Sequence, residues 1–394
     1  MKVYAALVAA ERREIMKRII CFFLCAFMLT HPIVYAENEA EPIEGVNAKS
    51  CILIEQSTGE VLREMNADDE LPIASVTKIM TMLLIMEQID GGILKYDDMV
   101  SVSENAMSYG GSTMFLEAGE QLTVNDMLKG IAVASANDGC VAMAEHIAGS
   151  ESAFVDMMNK KAADLGMEHT SFANTNGLDE DGHYSSARDV AIMSRELLNH
   201  PKITDYTSIW TDELRDGKFQ LANTNKLIRF YTGANGLKTG STSEALCCLS
   251  ASAVRDDMQL IAVVLGAPTS AERFASAKAL LDYGFANYHI NELVADGEEI
   301  CPAEIENGTE TQVMAIPKDG RSIISKKTDA AEIKRQVYIN DDITAPVNEG
   351  DVIGTLDFLA DGKIIDSVEL CADRSVAKKG LMGIMRDLIL GFVK

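Results

Sequence analysis

The stretch that decides the fold reads PIASVTKIMTMLLIMEQ and spans residues 72–88. Residues 75–88 are apolar nearly all round, which predicts a helix buried on every face rather than a surface helix with one apolar stripe. The chain has 394 residues and a hydrophobic content of 47%. It is therefore long enough to enclose such a helix in one large core and to form a smaller second domain.

Around this helix, residues from about 50 to 285 alternate short apolar strands with helical patterns. Helices in the middle and strands at both ends predict an α/β sandwich, an antiparallel sheet with helices, in which the first strands rejoin the last. The predicted elements are a hairpin at 52–54 and 61–62, helices at 124–135, 154–165 and 187–198, and a strand pair at 246–254 and 260–265.

Past residue 288 the pattern changes to short strands, such as 313–316 and 364–370, separated by turn dipeptides. These dipeptides are Asp296-Gly297, Asn307-Gly308, Asp319-Gly320 and Asp361-Gly362. Turn residues between alternating runs predict a small all-β domain.

The last stretch, residues 378–394, places apolar side chains at helical spacing among lysines and arginines. A basic amphipathic helix of this kind can lie on a membrane surface, and the alternative is a helix docked on its own domain. The domains expected are residues 1–36 (upstream residues and signal peptide), 37–285 (catalytic), 286–374 (small β-sandwich) and 375–394 (amphipathic tail).

The start of the chain indicates export. Lys17 and Arg18 precede an apolar run at 19–29, and Val34-Tyr35-Ala36 provides small residues at the usual cleavage positions, so Glu37 is the expected mature N-terminus. Residues 1–15 lie upstream of Met16 and its basic pair, which leaves the true start codon open. A formal charge of −25 argues against a nucleic-acid partner, which would need a basic surface.

Eight cysteines are present, and Cys21 and Cys25 fall within the predicted signal peptide. The other six stand in apolar contexts without a CxxC spacing, so buried thiols are favoured over disulfides and over a metal-thiolate site. The histidines form no HExxH pair and there is no GxSxG motif. Neither a metal nor a cofactor is expected.

Three short motifs carry the candidate chemistry: Ser75-Val76-Thr77-Lys78, Ser135-Ala136-Asn137 and Lys238-Thr239-Gly240. Taken alone, the first two motifs are weak evidence, because each has a second match in the chain. Ser375-Val376-Ala377-Lys378 also fits SxxK, and Ser103-Glu104-Asn105 also fits SxN. Context separates them, since only the Ser75 copy opens a long apolar helix and only the Ser135 copy ends a helix that is predicted to be packed.

The first motif suits a nucleophile and its base. Ser75 at a helix N-terminus lies near unpaired N–H groups, and Lys78, three residues on, shares its face. A lysine acts as a base only if its pKa is lowered, which burial and the charge of Lys238 could do.

The other two motifs suit a peptide substrate. Ser135 can relay a proton to the leaving amine, and the amide of Asn137 can hold the substrate. Lys238 and Thr239 can bind a carboxylate, and the third motif is expected to precede a strand along which the substrate would run, with Gly240 permitting close approach. The N–H groups of Ser75 and Ser241 would form the oxyanion hole.

In this order and context, the motifs resemble those of the serine D-Ala-D-Ala carboxypeptidases, the low-molecular-mass penicillin-binding proteins of peptidase family S11. The resemblance extends to residues 72–81, 134–138, 174–178, 223–227, 233–240 and 268–285. It implies a β-lactamase/transpeptidase-like sandwich followed by a small all-β domain and a C-terminal amphipathic helix.

The resemblance also implies an activity. Ser75 would attack the peptide bond between two terminal D-alanines of a peptidoglycan stem peptide, with Arg273 assisting at the terminal carboxylate. β-Lactam antibiotics would acylate the same serine, and the tail would attach the exported enzyme to the outer face of the membrane.

Three alternatives remain at this point. A class A β-lactamase shares the first and third motifs, but it would carry Ser-Asp-Asn where this chain has Ser135-Ala136-Asn137, and it has no place for a second domain. A DD-endopeptidase or a transpeptidase differs only in which amine leaves or attacks. A wall-binding protein on an inactive scaffold is disfavoured because all three motifs are intact.

Overall fold

The computed structural model describes residues 43–329, 332–380, 382 and 383. The predicted signal peptide lies outside these residues, as do residue 381 and residues 384–394 of the predicted amphipathic tail. The strands up to residue 267 are β1 (Ser50–Glu55), β2 (Val61–Met65), β3 (Met99–Ser101), β4 (Gln121–Thr123), β5 (Thr211–Leu214), β6 (Phe219–Ala222), β7 (Ala234–Thr242), β8 (Leu246–Arg255) and β9 (Met258–Ala267).

The helices are interleaved with these strands. They are α1 (Lys78–Asp90), α2 (Glu104–Ser108), α3 (Val124–Ala134), α4 (Asn137–Ala148), α5 (Glu151–Asp164), α6 (Ala187–Leu198), α7 (Thr204–Thr207), α8 (Leu227–Phe230) and α9 (Ser270–Asn287), with 3₁₀ turns at Ala74–Thr77 and Pro201–Ile203. The three helices predicted from the sequence are thus confirmed as α3, α5 and α6.

A five-stranded antiparallel sheet with the order β2-β1-β9-β8-β7 forms the centre of this region. β1 pairs with β9, so the first strands rejoin the last, as predicted. Alternate side chains of β1 serve different layers: Ile52 and Ile54 join the core that contains α1, whereas Leu53 lies beside Gly284 of α9. The α/β sandwich predicted from the sequence is therefore confirmed.

α1 runs through the interior of this core, since every residue from Lys78 to Met86 is buried. The predicted buried helix is confirmed, with one difference: Ser75 lies in the 3₁₀ turn that leads into α1 and not in the α-helix itself. The prediction for Lys238-Thr239-Gly240 was wrong, because these residues lie inside β7 rather than before a strand.

A second region follows α9 without a break. Its strands are β10 (Tyr288–Val294), β11 (Cys301–Glu304), β12 (Gln312–Pro317), β13 (Arg321–Lys326), β14 (Ile333–Ile339), β15 (Val352–Ala360) and β16 (Lys363–Ala372). They form a sheet with the order β11-β12-β16-β15-β14 and a separate β10–β13 pair, both antiparallel. The predicted turn Asp361-Gly362 joins β15 to β16 with both residues at positive φ.

The chain after β16 still belongs to this second region. Val376 is buried and exchanges backbone hydrogen bonds with Val347, and the N–H of Lys379 donates to the carbonyl of Asn307. Of the six cysteines outside the predicted signal peptide, none is in a disulfide; four are buried and Cys247 and Cys301 are partly exposed. Among the described helices, none has the length and apolar character needed to cross a bilayer.

Candidate active site

Ser75 lies on a short, strained turn. The residue before it, Ala74, has a φ of +49°, a left-handed conformation that costs a non-glycine residue about 1–2 kcal/mol. Ala74, Val76 and Thr77 are buried, whereas Ser75 is partly exposed. The turn thus presents one hydroxyl to solvent from an otherwise buried segment.

The amino group of Lys78 makes three hydrogen bonds. Its Nζ lies 2.7 Å from Ser75 Oγ, 2.7 Å from Asn137 Oδ1 and 2.6 Å from the backbone oxygen of Asn176. The side chain is fully buried, and burial lowers its pKa to about 8, although the charge of Asp138 opposes this shift. In the neutral amine two N–H groups can donate to Asn137 and Asn176, which aims the lone pair at Ser75.

Ser135 and Asn137 lie at the junction of two helices. Ser135 ends α3 with a φ of +62°, another left-handed non-glycine residue, and α4 begins at Asn137. Asn137 is buried, accepts from Lys78 and donates through Nδ2 to the carbonyl of Gly110. Ser135 Oγ makes no hydrogen bond with the described part of the chain, so its predicted relay role rests on position alone.

Asp138 fixes the loop at residues 114–116 beside Asn137. Its buried carboxylate accepts the backbone N–H groups of Met114, Leu116 and Gly139. The loop that contains Met114 is thereby attached to the start of α4, and the Asn137 N–H donates to Ser112 O in the same loop.

The loop 174–177 is hydrogen-bonded to α1. Besides the bond from Lys78 to Asn176, Thr81 Oγ1 of α1 donates to the carbonyl of Thr175 over 2.6 Å. Gly177 has a φ of +86°, and a Cβ at this position would lie 1.9 Å from the carbonyl oxygen of Ala74. Only glycine therefore lets the loop approach the turn so closely.

The third motif lies on the edge strand of the sheet. Lys238 is buried, and its Nζ donates to the carbonyl of Thr239 over 2.9 Å, while Thr239 Oγ1 lies 2.6 Å from Thr224 Oγ1. The pKa of Lys238 is lowered well below its usual value, mainly because the side chain is buried and secondly because the charge of Lys78 repels its own. The remaining Lys238 N–H groups have no acceptor among the described residues, which suits a site for a carboxylate.

Gly240 brings β7 against the turn that carries Ser75. A Cβ on Gly240 would lie 2.6 Å from Ile73 O and 3.0 Å from Ser75 N, so a larger residue would push the strand away. Ser241 follows on the same edge and is exposed. The backbone of β7 and the Ser75 N–H are thus neighbours.

Arg273 lies behind this strand rather than on the surface. It is buried, donates from Nη1 to Gly240 O over 3.0 Å and to Cys248 O over 3.3 Å, and donates from Nη2 to Ser270 Oγ. Burial lowers its pKa. Although Arg273 extends from α9, its guanidinium group reaches the backbone of Gly240 in β7.

The structure separates the three motifs from their look-alikes. Ser375 Oγ accepts the N–H of Glu349 in the second region, and Ser103 caps α2 by accepting the N–H of Ala106. Asn176 was not predicted as a partner of Lys78, although residues 174–178 are among those that carry the resemblance. A backbone carbonyl leaves no side-chain signal by which its role could be recognised.

Comparison with known proteins gives two matching family models and several relatives. A family model described as D-alanyl-D-alanine carboxypeptidase matches residues 36–269, and one described as the C-terminal domain of penicillin-binding protein 5 matches residues 288–378. The chain is 44% identical to the D-alanyl-D-alanine carboxypeptidase DacF of Bacillus subtilis (strain 168) over 379 residues, which cover 94% of this chain and 97% of that protein.

Solved structures show the same similarity. Penicillin-binding protein 5 from Haemophilus influenzae matches with a TM-score of 0.73 and 32% identity, covering 86% of this chain and all of that one. Penicillin-binding protein D2 from Listeria monocytogenes, in its ampicillin-bound form, matches with a TM-score of 0.55 and 32% identity, covering 62% of this chain and all of that one.

Replacing Gly177 should disturb Ser75 without a change at Ser75 itself. We expect Gly177→Ala to slow acylation of Ser75 by a serine-directed acylating reagent by about tenfold or more, because its Cβ displaces the Ala74 carbonyl. Gly182→Ala is the matched control, since Gly182 has a similar φ of +80° with nothing within 4 Å of its Cβ position. Equal acylation rates in the two variants would contradict this account.

Proposed function

This chain belongs to the D-alanyl-D-alanine carboxypeptidase family, peptidase S11, and we propose that it performs the family's reaction through an acyl-enzyme on Ser75. The substrate is a peptidoglycan stem peptide that ends in D-Ala-D-Ala, and the products are the shortened peptide and free D-alanine. The observation that carries the assignment of Ser75 is its 2.7 Å contact with the buried amine of Lys78.

Acylation begins with proton transfer from Ser75 Oγ to the neutral amine of Lys78. The Ser75 oxygen bonds to the carbonyl carbon of the penultimate D-alanine, and the carbonyl oxygen becomes an oxyanion that accepts from the N–H groups of Ser75 and Ser241. The C–N bond then breaks, and the leaving nitrogen takes the proton, relayed through the hydroxyl of Ser135.

Substrate binding falls to the groups around β7. Lys238, Thr239 and Arg273 hold the terminal carboxylate, and Asn137 holds an amide of the stem peptide. The substrate lies along the free edge of β7 as an added strand, which Gly240 permits. Water then attacks the carbonyl carbon of the ester and gives one proton to the neutral amine of Lys78. The bond to Ser75 Oγ breaks, this oxygen takes the proton back from Lys78, and the shortened peptide departs as a carboxylic acid.

β-Lactam antibiotics acylate the same serine in this proposal, and the ester they form is released slowly. The alternative of a compact class A β-lactamase is not supported, because family models for both a carboxypeptidase and its C-terminal domain match this chain. The catalytic domain is proposed to span residues 37–285. The small β-sandwich domain, expected from the sequence to end at residue 374, is proposed to extend to residue 380, because Val376 and Lys379 pair with its backbone.

The cellular setting is proposed from the two ends of the chain. A peptidoglycan-processing enzyme acts outside the cytoplasm, and the apolar run at 19–29 with its basic flank supports export by a cleaved signal peptide. The basic amphipathic pattern at the C-terminus supports attachment to the membrane surface.

The first test replaces the nucleophile. Ser75→Ala should abolish both covalent labelling by a fluorescent penicillin and release of D-alanine from a pentapeptide, because no oxygen remains to form the ester. Ser375→Ala, in the other SxxK match, should leave both unchanged. Labelling that persists in Ser75→Ala, located by mass spectrometry of the adduct, would disprove the assignment.

The pH dependence of acylation tests Lys78. Because the pKa of Lys78 is lowered to about 8 and only the neutral amine accepts a proton, the second-order rate of penicillin acylation should rise as pH increases through 8 and then level off. Stopped-flow measurement between pH 6 and 9 checks this. A rate that does not change over this range would exclude Lys78 as the base.

A truncation tests the tail. The chain should stop after Gly380, since Val376 is buried in the second region and Lys379 is hydrogen-bonded to Asn307. Removing residues 381–394 should move the enzyme from the membrane pellet to the soluble fraction and preserve the rate on a soluble peptide. Unchanged sedimentation with membranes would refute the anchor.

A further inference from the structure

His183, which has no role in the proposed chemistry, is hydrogen-bonded to the turn that carries Ser75. His183 Nε2 lies 2.7 Å from Thr77 Oγ1, and the same Oγ1 lies 2.8 Å from the carbonyl oxygen of Ala74. His183, Thr77 and Ala74 are all buried. The histidine therefore reaches the residue immediately before the nucleophile through a single hydroxyl.

The direction of these hydrogen bonds follows from the other ring nitrogen. The backbone N–H of Ala173 donates to His183 Nδ1 over 3.1 Å, so Nδ1 carries no proton. Nε2 of the neutral ring therefore carries it and donates to Thr77 Oγ1, whose own proton goes to the Ala74 carbonyl. Burial lowers the pKa of His183 to about 4, which keeps the ring neutral at physiological pH.

The Ala74 carbonyl at the end of this chain determines where the Ser75 N–H points. The two groups belong to one planar peptide unit and point in opposite directions, so fixing the oxygen fixes the N–H. The left-handed φ of Ala74 is unfavourable and needs such support. Accepting a hydrogen bond at the oxygen also polarises the peptide unit, which strengthens the N–H as a donor.

We propose that His183 is a positioning residue for the oxyanion hole, acting through Thr77 and the Ala74 carbonyl to aim the Ser75 N–H at the substrate oxyanion. This inference rests on the proposed function, because it concerns a donor that matters only if Ser75 is acylated. His183 does not contact the reacting atoms. Its effect therefore belongs to the transition state, where the oxyanion has formed, and not to substrate binding.

Two substitutions of His183 separate its two hydrogen bonds. In His183→Asn the side-chain oxygen occupies the place of Nδ1 and accepts from Ala173, but nothing donates to Thr77. In His183→Gln the longer side chain places an amide N–H at the position of Nε2, so the donor to Thr77 is kept. Thr77→Val removes the hydroxyl at the other end of the same bond, and Thr77→Ser retains it.

The experiment measures penicillin acylation at saturation, the half-saturating concentration, and kcat and KM for a pentapeptide. We expect His183→Asn and Thr77→Val each to lower the saturating acylation rate and kcat by about tenfold to a hundredfold, with half-saturation and KM changed by less than about threefold. His183→Gln and Thr77→Ser should stay within about threefold of the wild type. The double variant His183→Asn/Thr77→Val should be no slower than Thr77→Val alone, because that substitution already removes the hydroxyl through which His183 acts.

Equal activity of His183→Asn and the wild type would overturn the proposal, as would equal losses in His183→Asn and His183→Gln, or a loss confined to KM. Thermal unfolding of each variant verifies that it folds; if His183→Asn does not, the comparison of Thr77→Val with Thr77→Ser decides. Ser75→Ala is run alongside. Adduct formation in that variant would refute the proposed function, whereas its absence together with fully active His183 variants would refute only this inference.

Discussion

One buried amino group constrains the whole site. Lys78 Nζ lies inside a core of apolar side chains, where a polar group without hydrogen-bond partners would cost several kcal/mol, and it finds partners in Ser75, Asn137 and Asn176. These partners come from the turn before α1, the start of α4 and the loop 174–177. The three segments are far apart in sequence, and none can shift without leaving the amine unsatisfied.

Carboxylates hold the surrounding loops in place. Asp138 accepts backbone N–H groups from the loop at 114–116, and Glu151 accepts both the N–H and the hydroxyl of Thr175 and the hydroxyl of Tyr109. The loops at 109–116 and 174–177 are thus attached to the first turns of α4 and α5. An acidic chain here uses part of its negative charge to fix backbone positions, where charge-assisted hydrogen bonds are stronger than neutral ones.

The sequence predicted those parts of the site that side-chain chemistry specifies. A serine, a lysine three residues later and an apolar helix, followed by the other two motifs, predicted the contact between Ser75 and Lys78. Strands at both ends of the region predicted the sheet. The residues that were missed act through the backbone or across long separations. Asn176 contributes only its carbonyl, and His183 reaches Thr77 across 106 residues.

Two errors have a local cause. The strand was expected to begin after Lys238-Thr239-Gly240, because the glycines and small polar residues of this segment show no alternation of apolar and polar side chains. Pairing with its neighbour in the sheet nevertheless makes the segment part of β7. α4 was not predicted because it begins within a motif and includes Gly139, an unfavourable helix residue that Met114 packs against.

The left-handed conformations of Ala74 and Ser135 connect the site to the stability of the whole fold. Each costs about 1–2 kcal/mol and persists only while the surrounding packing imposes it. Together they amount to a sizeable share of the net stability of a typical domain, about 5–15 kcal/mol. The packing of the surrounding core therefore supplies the free energy that keeps the site in shape, and this free energy is subtracted from the stability of the whole fold.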